Sequence, residues 1–152
     1  MVDTDTMASA ERVAIFIDYH NVENSLRRAG LRVDMTELVD YVLADRALLE
    51  CFCYIGSHPQ PEYWSESQAR IRSLQLNGYL VTTKMGQVLP GGQLKCDFDV
   101  EIALDAAEYV RASRPDSVVL ATGDGHFCPL ARRLRRQGVR VEWRIGNRRI
   151  FH

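Results

Sequence analysis

Four aspartates occupy positions where a site that hydrolyses phosphate esters would need them. Asp18 ends an apolar run, Asp97 and Asp99 open a helical stretch, and Asp124 follows a second apolar run. Carboxylates at the ends of buried strands cannot easily remain charged unless they hold a cation. The pattern therefore predicts a candidate cation site built from these four side chains.

The chemistry of such a site follows from the repulsion between its carboxylates. A hard divalent cation with oxygen ligands relieves that repulsion, and Mg²⁺ or Mn²⁺ is the expected ion. A cation that keeps some of its waters lowers the pKa of one of them and neutralises a phosphate oxygen during attack. This combination indicates phosphodiester hydrolysis. The alternative is that each aspartate only caps the helix that follows it, which is a common role for one aspartate and a weaker explanation for four.

The elements that must position these residues alternate between strand and helix. The predicted strands are 12–18, 48–55, 79–84, a segment leading to Asp124, and 139–144; the predicted helices are 21–29, a helix capped by Asp34, 62–76, 97–111 and 127–137. This alternation predicts an α/β fold with a mainly parallel sheet of about five strands, covered by helices on both faces. The glycine-rich segment 85–93 is expected to be a loop or a loose hairpin.

Parallel topology also predicts where the site lies. In open parallel sheets ligands bind beyond the carboxyl ends of the strands, at the point where the strand order reverses. If the strands before Asp18 and Asp124 are neighbours at that point, their carboxylates converge, and the helix that follows Asp99 can bring a third. That helix carries Val100, Ala103, Leu104 and Ala107 on one stripe at helical spacing.

The composition is that of one ordinary domain. The chain has 152 residues, of which 46% are hydrophobic and 26% charged, so we expect a disordered lead-in at 1–10 and a single domain at 11–152. The apolar runs are too short to span a membrane and no signal peptide is recognisable, so a cytoplasmic protein is expected. The four cysteines form no paired C-x-x-C motifs, which favours buried reduced thiols over a zinc site.

The net charge of −1 hides an asymmetry along the chain. Residues 1–110 hold 17 acids and 9 bases, whereas residues 111–152 hold 3 acids and 10 arginines. Guanidinium groups at this density could follow a polyanion backbone, or they could form a solvated helix face that balances the acidic part. Both interpretations stay open. Eight arginines form the dense cluster: Arg132, Arg133, Arg135, Arg136, Arg140, Arg144, Arg148 and Arg149.

Three segments together resemble the motifs of a known family. Phe-Ile-Asp-Tyr-His-Asn at 16–21 looks like the opening motif of the NYN domain, the LabA-like branch of the PIN-like nucleases. The segment 95–105 resembles the central lysine and aspartate-rich motif of the family. The segment 121–130, with the glycine-started strand 138–141, is similar to the third motif. The motifs occur in order over nearly the whole chain, so together they are far more specific than one acidic pattern.

The resemblance implies a three-layer α/β/α fold of the PIN-like or Rossmannoid type, an acidic centre using Mg²⁺ or Mn²⁺, and RNA as the substrate class. It assigns Asp18, Asp99 and Asp124 to metal binding and matches Asn21 to the asparagine of the family's site. Asp97 either reaches the cation or caps the helix start. Asp99 and Asp105 lie six residues apart, about 240° around a helix, so Asp105 is expected to orient a neighbour or bond to the backbone.

His126 departs from the family pattern, because many relatives have a second aspartate at that position. Its imidazole could ligate the metal, hydrogen-bond a water, or face the scissile phosphate when protonated; it could also be a helix first-turn residue without a catalytic role. The departure concerns catalytic rate and metal preference more than the fold. His20, between Asp18 and Asn21, could contact the substrate.

Candidate substrate-binding residues lie outside the acidic motifs. Lys95 matches the family lysine and could bind a phosphate, although a loop lysine is more often only solvated. Tyr19, Tyr63 and Trp64 could stack on bases, although such aromatics more often pack in the core or at its rim. From the arginine cluster we take Arg132, Arg133 and Arg136 as candidates.

The leading hypothesis is a metal-dependent endoribonuclease whose arginine-rich surface guides RNA to the acidic centre. The alternative is a regulatory RNA-binding or protein-interaction module of the same fold that cuts poorly or not at all, and His126 favours this alternative. A third hypothesis is that the acids bind metal only for stability. A homodimer or a protein partner is expected to deliver the substrate.

Overall fold

Strands and helices alternate through residues 10–122 and 128–143, the parts of the chain that the computed structural model describes. The strands are β1 (Arg12–Asp18), β2 (Ala47–Ser57), β3 (Leu80–Met85), β4 (Gln87–Val88), β5 (Leu94–Lys95), β6 (Ser117–Ala121) and β7 (Arg140–Trp143). The helices are α1 (Tyr19–Arg28), α2 (Met35–Leu43), α3 (Pro61–Leu76), α4 (Asp99–Ser113) and α5 (Cys128–Arg136). The predicted elements are thus confirmed, with boundaries that shift by a few residues.

Five of the strands form one parallel sheet in the order β3-β2-β1-β6-β7. The chain proceeds outward from β1 to β3 on one side and from β6 to β7 on the other, so the strand order reverses between β1 and β6. This confirms that the strand ending at Asp18 and the strand leading toward Asp124 are neighbours at the reversal point. The two remaining strands, β4 and β5, pair antiparallel, which confirms a hairpin in the glycine-rich segment.

Helices cover both faces of the sheet and create the three-layer α/β/α arrangement. On one face, α4 and α5 pack on Phe16 of β1 and Leu120 of β6. On the other face, α1 and α2 pack on Ile15 and Val119, and α3 packs on Ile55 of β2. Because apolar layers lie on both sides, β1 is buried along all but its first residue, as its nearly continuous apolar sequence requires.

Local signals explain where two of the helices begin. Asp34 precedes α2, and its Oδ1 accepts a hydrogen bond of 3.1 Å from the backbone N–H of Glu37, as the sequence predicted. Pro61 is the first residue of α3, where its missing N–H costs no hydrogen bond.

The apolar stripe of α4 that faces the sheet differs from the one noted in the sequence. Ile102, Ala106 and Val110 are buried, whereas Val100 and Leu104 are 66% and 65% exposed. Both sets have helical spacing, so periodicity alone cannot say which one meets the sheet.

The cysteines are all free thiols, and they differ in exposure. Cys51 and Cys53 are buried in β2 as expected, while Cys96 is half-buried and Cys128 is exposed, against the expectation of burial. Burial raises the pKa of the Cys53 thiol to about 12, so this thiol stays protonated. Within the described residues, no helix is both long enough and apolar enough to cross a membrane.

Candidate metal and nucleic-acid site

An open cavity of about 510 Å³ lies beyond the carboxyl end of β1, at the edge where the strand order reverses. Its walls come from the start of α1 on one side and from the β4–β5 hairpin and the start of α4 on the other. Polar groups dominate its lining: Asp18, His20, Asn21, Asn24, Ser25, Arg28, Gln93, Lys95, Asp97 and Asp99, together with Leu89, Leu94 and Cys96. We call this space the acidic cavity.

Asp18 reaches the acidic cavity from the last position of β1, and the residue is only 5% exposed. Burial raises its pKa to about 6, and the nearby charge of Asp99 acts in the same direction. The backbone N–H and side chain of Asn21 and the imidazole of His20 offset part of this rise. Asp18 and Asp99 therefore come together as predicted, and bringing them together costs electrostatic energy.

Asp97 and Asp99 approach the cavity at the start of α4. Oδ1 of Asp97 accepts a hydrogen bond of 2.9 Å from the backbone N–H of Asp99. Asp97 therefore pairs with the first backbone N–H of α4 from the position before the N-cap residue Phe98. Asp97 also lines the cavity, so both roles left open by the sequence remain available to it. In the described part of the chain no three His, Cys, Asp or Glu side chains are grouped closely enough to hold a metal ion.

The donor chemistry of the cavity nevertheless suits a hard cation. Asp18, Asp99 and Asp97 offer carboxylate oxygens, and Asn21 adds an amide oxygen. Oxygen ligands of this kind match Mg²⁺ or Mn²⁺ rather than a soft metal. Asp124 and His126, both predicted site residues, lie outside the described residues.

A polar stripe on α1 was missed in the sequence. Asn21, Asn24, Ser25 and Arg28 all line the acidic cavity, at spacings of three, four and seven residues. This spacing places them on one face of the helix, on the side away from the buried Leu26. The sequence contained this pattern, because polar residues recur at helical spacing after Asn21. Following the helix onward from Asn21 would have identified them.

His20 connects the start of α1 to the end of β2. Its Nε2 accepts a hydrogen bond of 2.9 Å from the backbone N–H of Gly56, and its Nδ1 lies 3.5 Å from Oε1 of Glu23. Since the ring is buried, this geometry gives His20 a structural role beside any substrate contact.

The predicted basic residues are divided between two places. Lys95 lines the acidic cavity as expected, and Arg28 joins it there. Arg132, Arg133 and Arg136 are exposed on α5, and they do not belong to the described lining of the cavity. Helix α5 connects two parallel strands and so runs away from the site edge, which carries its C-terminal arginines toward the opposite edge of the sheet.

Asp105 is a structural partner and does not line the acidic cavity. Its Oδ2 accepts a hydrogen bond of 2.7 Å from the hydroxyl of Tyr54, whose side chain is fully buried. Of the two expected roles, orienting a neighbour or bonding to the backbone, this contact corresponds to the first.

The three candidate stacking aromatics have different environments. Tyr19 is buried and packs with Cys53 and Ile55, in agreement with a core role. Tyr63 is 48% exposed and lies near His58, with 4.9 Å between the ring centroids. Trp64 is 43% exposed and lines a groove between α3 and β3.

Comparison with known proteins agrees with this architecture. Curated proteins give no match to the chain. A crystal structure of a protein of unknown function from Vibrio parahaemolyticus superposes with a TM-score of 0.69 at 27% sequence identity, covering 88% of this chain and 80% of that one. The family model described as the NYN domain matches residues 12–146. The sequence motifs, the parallel sheet and this match lead to one conclusion: the chain belongs to the NYN domain family.

Proposed function

We propose that this NYN domain is a metal-dependent endoribonuclease that hydrolyses RNA phosphodiester bonds in the acidic cavity. The observation that carries the proposal is the pairing of Asp18 with Asp99 at the reversal point of the sheet. Burial of the Asp18 carboxyl, with a smaller contribution from the nearby charge of Asp99, raises the pKa of Asp18 to about 6, and a bound divalent cation would remove this penalty. Without a cation, placing the Asp18 and Asp99 carboxylates together would only lower the stability of the fold.

The acids and Asn21 have proposed roles. Asp18 and Asp99 hold Mg²⁺ or Mn²⁺ together with Asp124, and Asp97 adds to the negative charge. Asn21 orients the Asp18 carboxylate through its backbone N–H and side chain. When bound, the cation supplies an activated water and neutralises charge on the phosphate.

RNA is proposed to be held by cationic and polar groups around these acids. Lys95 and Arg28 line the same cavity and can offset the charge of the RNA backbone. His126 is proposed to face the scissile phosphate. The arginines Arg132, Arg133 and Arg136 would contact RNA farther from the cut, and a second copy or a protein partner would help to deliver it.

The second candidate is a regulatory RNA-binding or protein-interaction module that does not cut. The specific observation in its favour is His126, which stands where many relatives of the family have an aspartate. A site with one acid fewer would hold a cation more weakly. The two candidates differ in cleavage, and the RNA-binding form of the second one shares RNA binding with the first.

Cleavage of labelled single-stranded RNA in Mg²⁺ or Mn²⁺ separates the two candidates. Wild-type protein is expected to cut, and Asp99→Asn is expected to lower the rate by roughly 100-fold or more, because it removes a charge that the reaction needs. The matched control is Asp45→Asn, the same change at an exposed aspartate just before β2, at the opposite edge of the sheet. Its rate is expected to equal that of the wild type.

Three outcomes are informative. Equal cleavage by wild type and Asp99→Asn would mean a contaminating nuclease and would refute the proposal. No cleavage together with salt-sensitive RNA binding would support the non-cutting module. Chelator that lowers the melting temperature, with neither cleavage nor RNA binding, would indicate a cation used for stability alone.

A further inference from the structure

A second cavity adjoins the acidic cavity. It has a volume of about 200 Å³ and lies between α1, the end of β2 and the start of α3. The two cavities share four lining residues, namely His20, Asn24, Gln93 and Leu94. The two cavities therefore adjoin along these residues, so that one extended ligand could contact both.

The aromatic ring of Tyr63 lines the second cavity and remains half exposed. Its neighbour is the ring of His58, tilted by 52° at a centroid distance of 4.9 Å. His58 is fixed in place, since its Nδ1 accepts the backbone N–H of Gln60 at 3.2 Å and its own backbone N–H donates to Oγ of Ser67 at 3.0 Å. A fixed neighbour orients Tyr63, so that the phenol ring offers a flat surface for stacking.

The charges of the second cavity are already balanced. Arg27 lies 3.6 Å from Glu23, and Arg70 lies 3.6 Å from Glu23 and 3.8 Å from Glu66. Two arginines and two glutamates thus cancel, and the cavity carries no surplus positive charge to attract a phosphate. An uncharged, planar group with polar edges suits this environment better than an anion.

The cavity also has groups that can bond to such an edge. The side-chain amides of Asn24 and Gln93 carry both donors and acceptors, which matches the mixed donor and acceptor edges of nucleobases. Both amides stand on the boundary between the two cavities. A nucleoside whose phosphate lies among the acids of the first cavity would place its base beside these amides.

We propose that the second cavity is a nucleobase subsite, in which Tyr63 stacks on one base of a single strand next to the phosphate held in the acidic cavity. This inference rests on the proposed function for the identity of the substrate. Tyr63 is a binding residue in this arrangement and takes no part in bond cleavage. The subsite therefore selects single-stranded RNA, because a base that enters the cavity must be unpaired.

The test measures binding without reaction. Short RNA oligonucleotides carry 2-aminopurine at one position each and are titrated with the full chain under two conditions without appreciable hydrolysis, namely in chelator and, with the slow Asp99→Asn variant, in Mg²⁺. Fluorescence at one nucleotide position is expected to change on binding, and Tyr63→Ala is expected to remove that change and to weaken binding about tenfold. Tyr63→Phe keeps the ring and is expected to behave like the wild type.

Trp64→Ala is the matched control for loss of an exposed aromatic on α3. Trp64 is the next residue on the helix and is similarly exposed, but it lines the groove beside β3 and not the second cavity. Its removal is expected to leave affinity and fluorescence unchanged. An equal loss in Trp64→Ala and Tyr63→Ala would overturn the subsite and indicate diffuse contact along α3.

Failure of the subsite and failure of the proposed function are distinguishable. Wild-type affinity in Tyr63→Ala would overturn the subsite even if the protein cleaves RNA in Mg²⁺. A position-specific fluorescence change that needs Tyr63 would support the subsite even if the protein never cleaves. No binding of any oligonucleotide at low salt would overturn both.

Discussion

The Asp18 carboxyl combines burial, a neighbouring like charge and two groups that partly offset them. Burial contributes most to the rise of its pKa from the ordinary value of 3.8 to about 6. A group whose pKa is raised by folding favours the folded state while it is protonated and disfavours it once it is ionised. The site therefore contains a built-in cost at neutral pH, of the kind that a cation would remove.

The first prediction concerns the stability of the cation-free protein between pH 4 and pH 7. Below about pH 3.8 Asp18 is protonated in both states; between 3.8 and about 6 the unfolded chain releases its proton first. The contribution of Asp18 to stability is therefore lost as pH rises through this window, by about 3 kcal/mol in total. Urea unfolding in chelator at several pH values measures this loss.

Asp18→Asn is the comparison, because the amide cannot ionise. The difference in unfolding free energy between this variant and the wild type is expected to grow in favour of the variant from pH 4 to pH 7. Excess Mg²⁺ or Mn²⁺ at pH 7 is expected to reduce that difference by stabilising only the wild type. If the unfolding free energies of the variant and the wild type differed by a constant amount from pH 4 to pH 7, the raised pKa assigned to Asp18 would be contradicted.

At the scale of elements, the segment between β5 and α4 packs tightly against the end of β2, where Cys96 contacts Gly56. A Cβ added to Gly56 would lie 2.9 Å from Cβ and 3.2 Å from Sγ of Cys96, and 3.3 Å from Nε2 of His20. Cys96 directly precedes the segment with Asp97 and Asp99. The glycine at the end of β2 thus determines how closely the two aspartates approach Asp18.

The second prediction is that Gly56→Ala displaces the aspartate-bearing segment. The added methyl group is expected to cost about 1–3 kcal/mol of stability and to lower cation affinity, since Cys96 must move. Isothermal titration with Mn²⁺ measures the affinity, and urea unfolding measures the stability. Combining Gly56→Ala with Cys96→Gly removes both close atoms of Cys96 and is expected to restore part of the affinity.

Gly30→Ala is the control for a glycine change without a close contact. Gly30 has a φ of +76° with nothing within 4 Å of an added Cβ, so alanine there is strained only by its backbone conformation. Its expected cost is about 1 kcal/mol, with cation affinity unchanged. If Gly30→Ala lowered affinity as much as Gly56→Ala, the loss would reflect general destabilisation.

The elements also mark where sequence reasoning succeeds and where it stops. The alternation of strand and helix predicted the fold because each element shows its own period or buried run. In α4 the same method missed the buried face, because the residues around Val100 and those around Ile102 are both apolar at helical spacing. The second cavity was not predictable, since α1, β2 and α3 meet only in the folded chain.

At the scale of the whole molecule, one ion pair connects elements distant in sequence on the side of the molecule away from the acidic cavity. Nη1 and Nη2 of Arg46 donate to the two carboxylate oxygens of Glu142 at 2.6 Å and 3.1 Å. Arg46 also donates to the backbone carbonyls of Val42 and Leu43 at the end of α2, and lies 3.6 Å from Glu11. The pair is 96 residues apart in sequence, so no local pattern could predict it.

The third prediction is that Glu142→Ala destabilises the fold by about 2 kcal/mol without affecting the acidic cavity. Arg46 and Glu142 are only 12% and 18% exposed, so removing the carboxylate leaves a poorly hydrated guanidinium, a cost between those of exposed and fully buried pairs. Urea unfolding measures the loss, and Glu66→Ala, which breaks an exposed pair with Arg70, is expected to cost less than 0.5 kcal/mol.

The double variant Arg46→Met with Glu142→Leu separates lost pairing from an orphaned charge. Replacing both partners by apolar side chains removes the pair without leaving an unpaired charge, since Glu11 keeps its ion pair with Arg140 at 3.0 Å. Buried pairs replaced in this way often lose little stability. The double variant is therefore expected to be more stable than Glu142→Ala alone, with Mn²⁺ affinity equal to that of the wild type. A double variant as unstable as the single one would mean that the pair itself, with its links between α2, β1 and β7, holds these elements together.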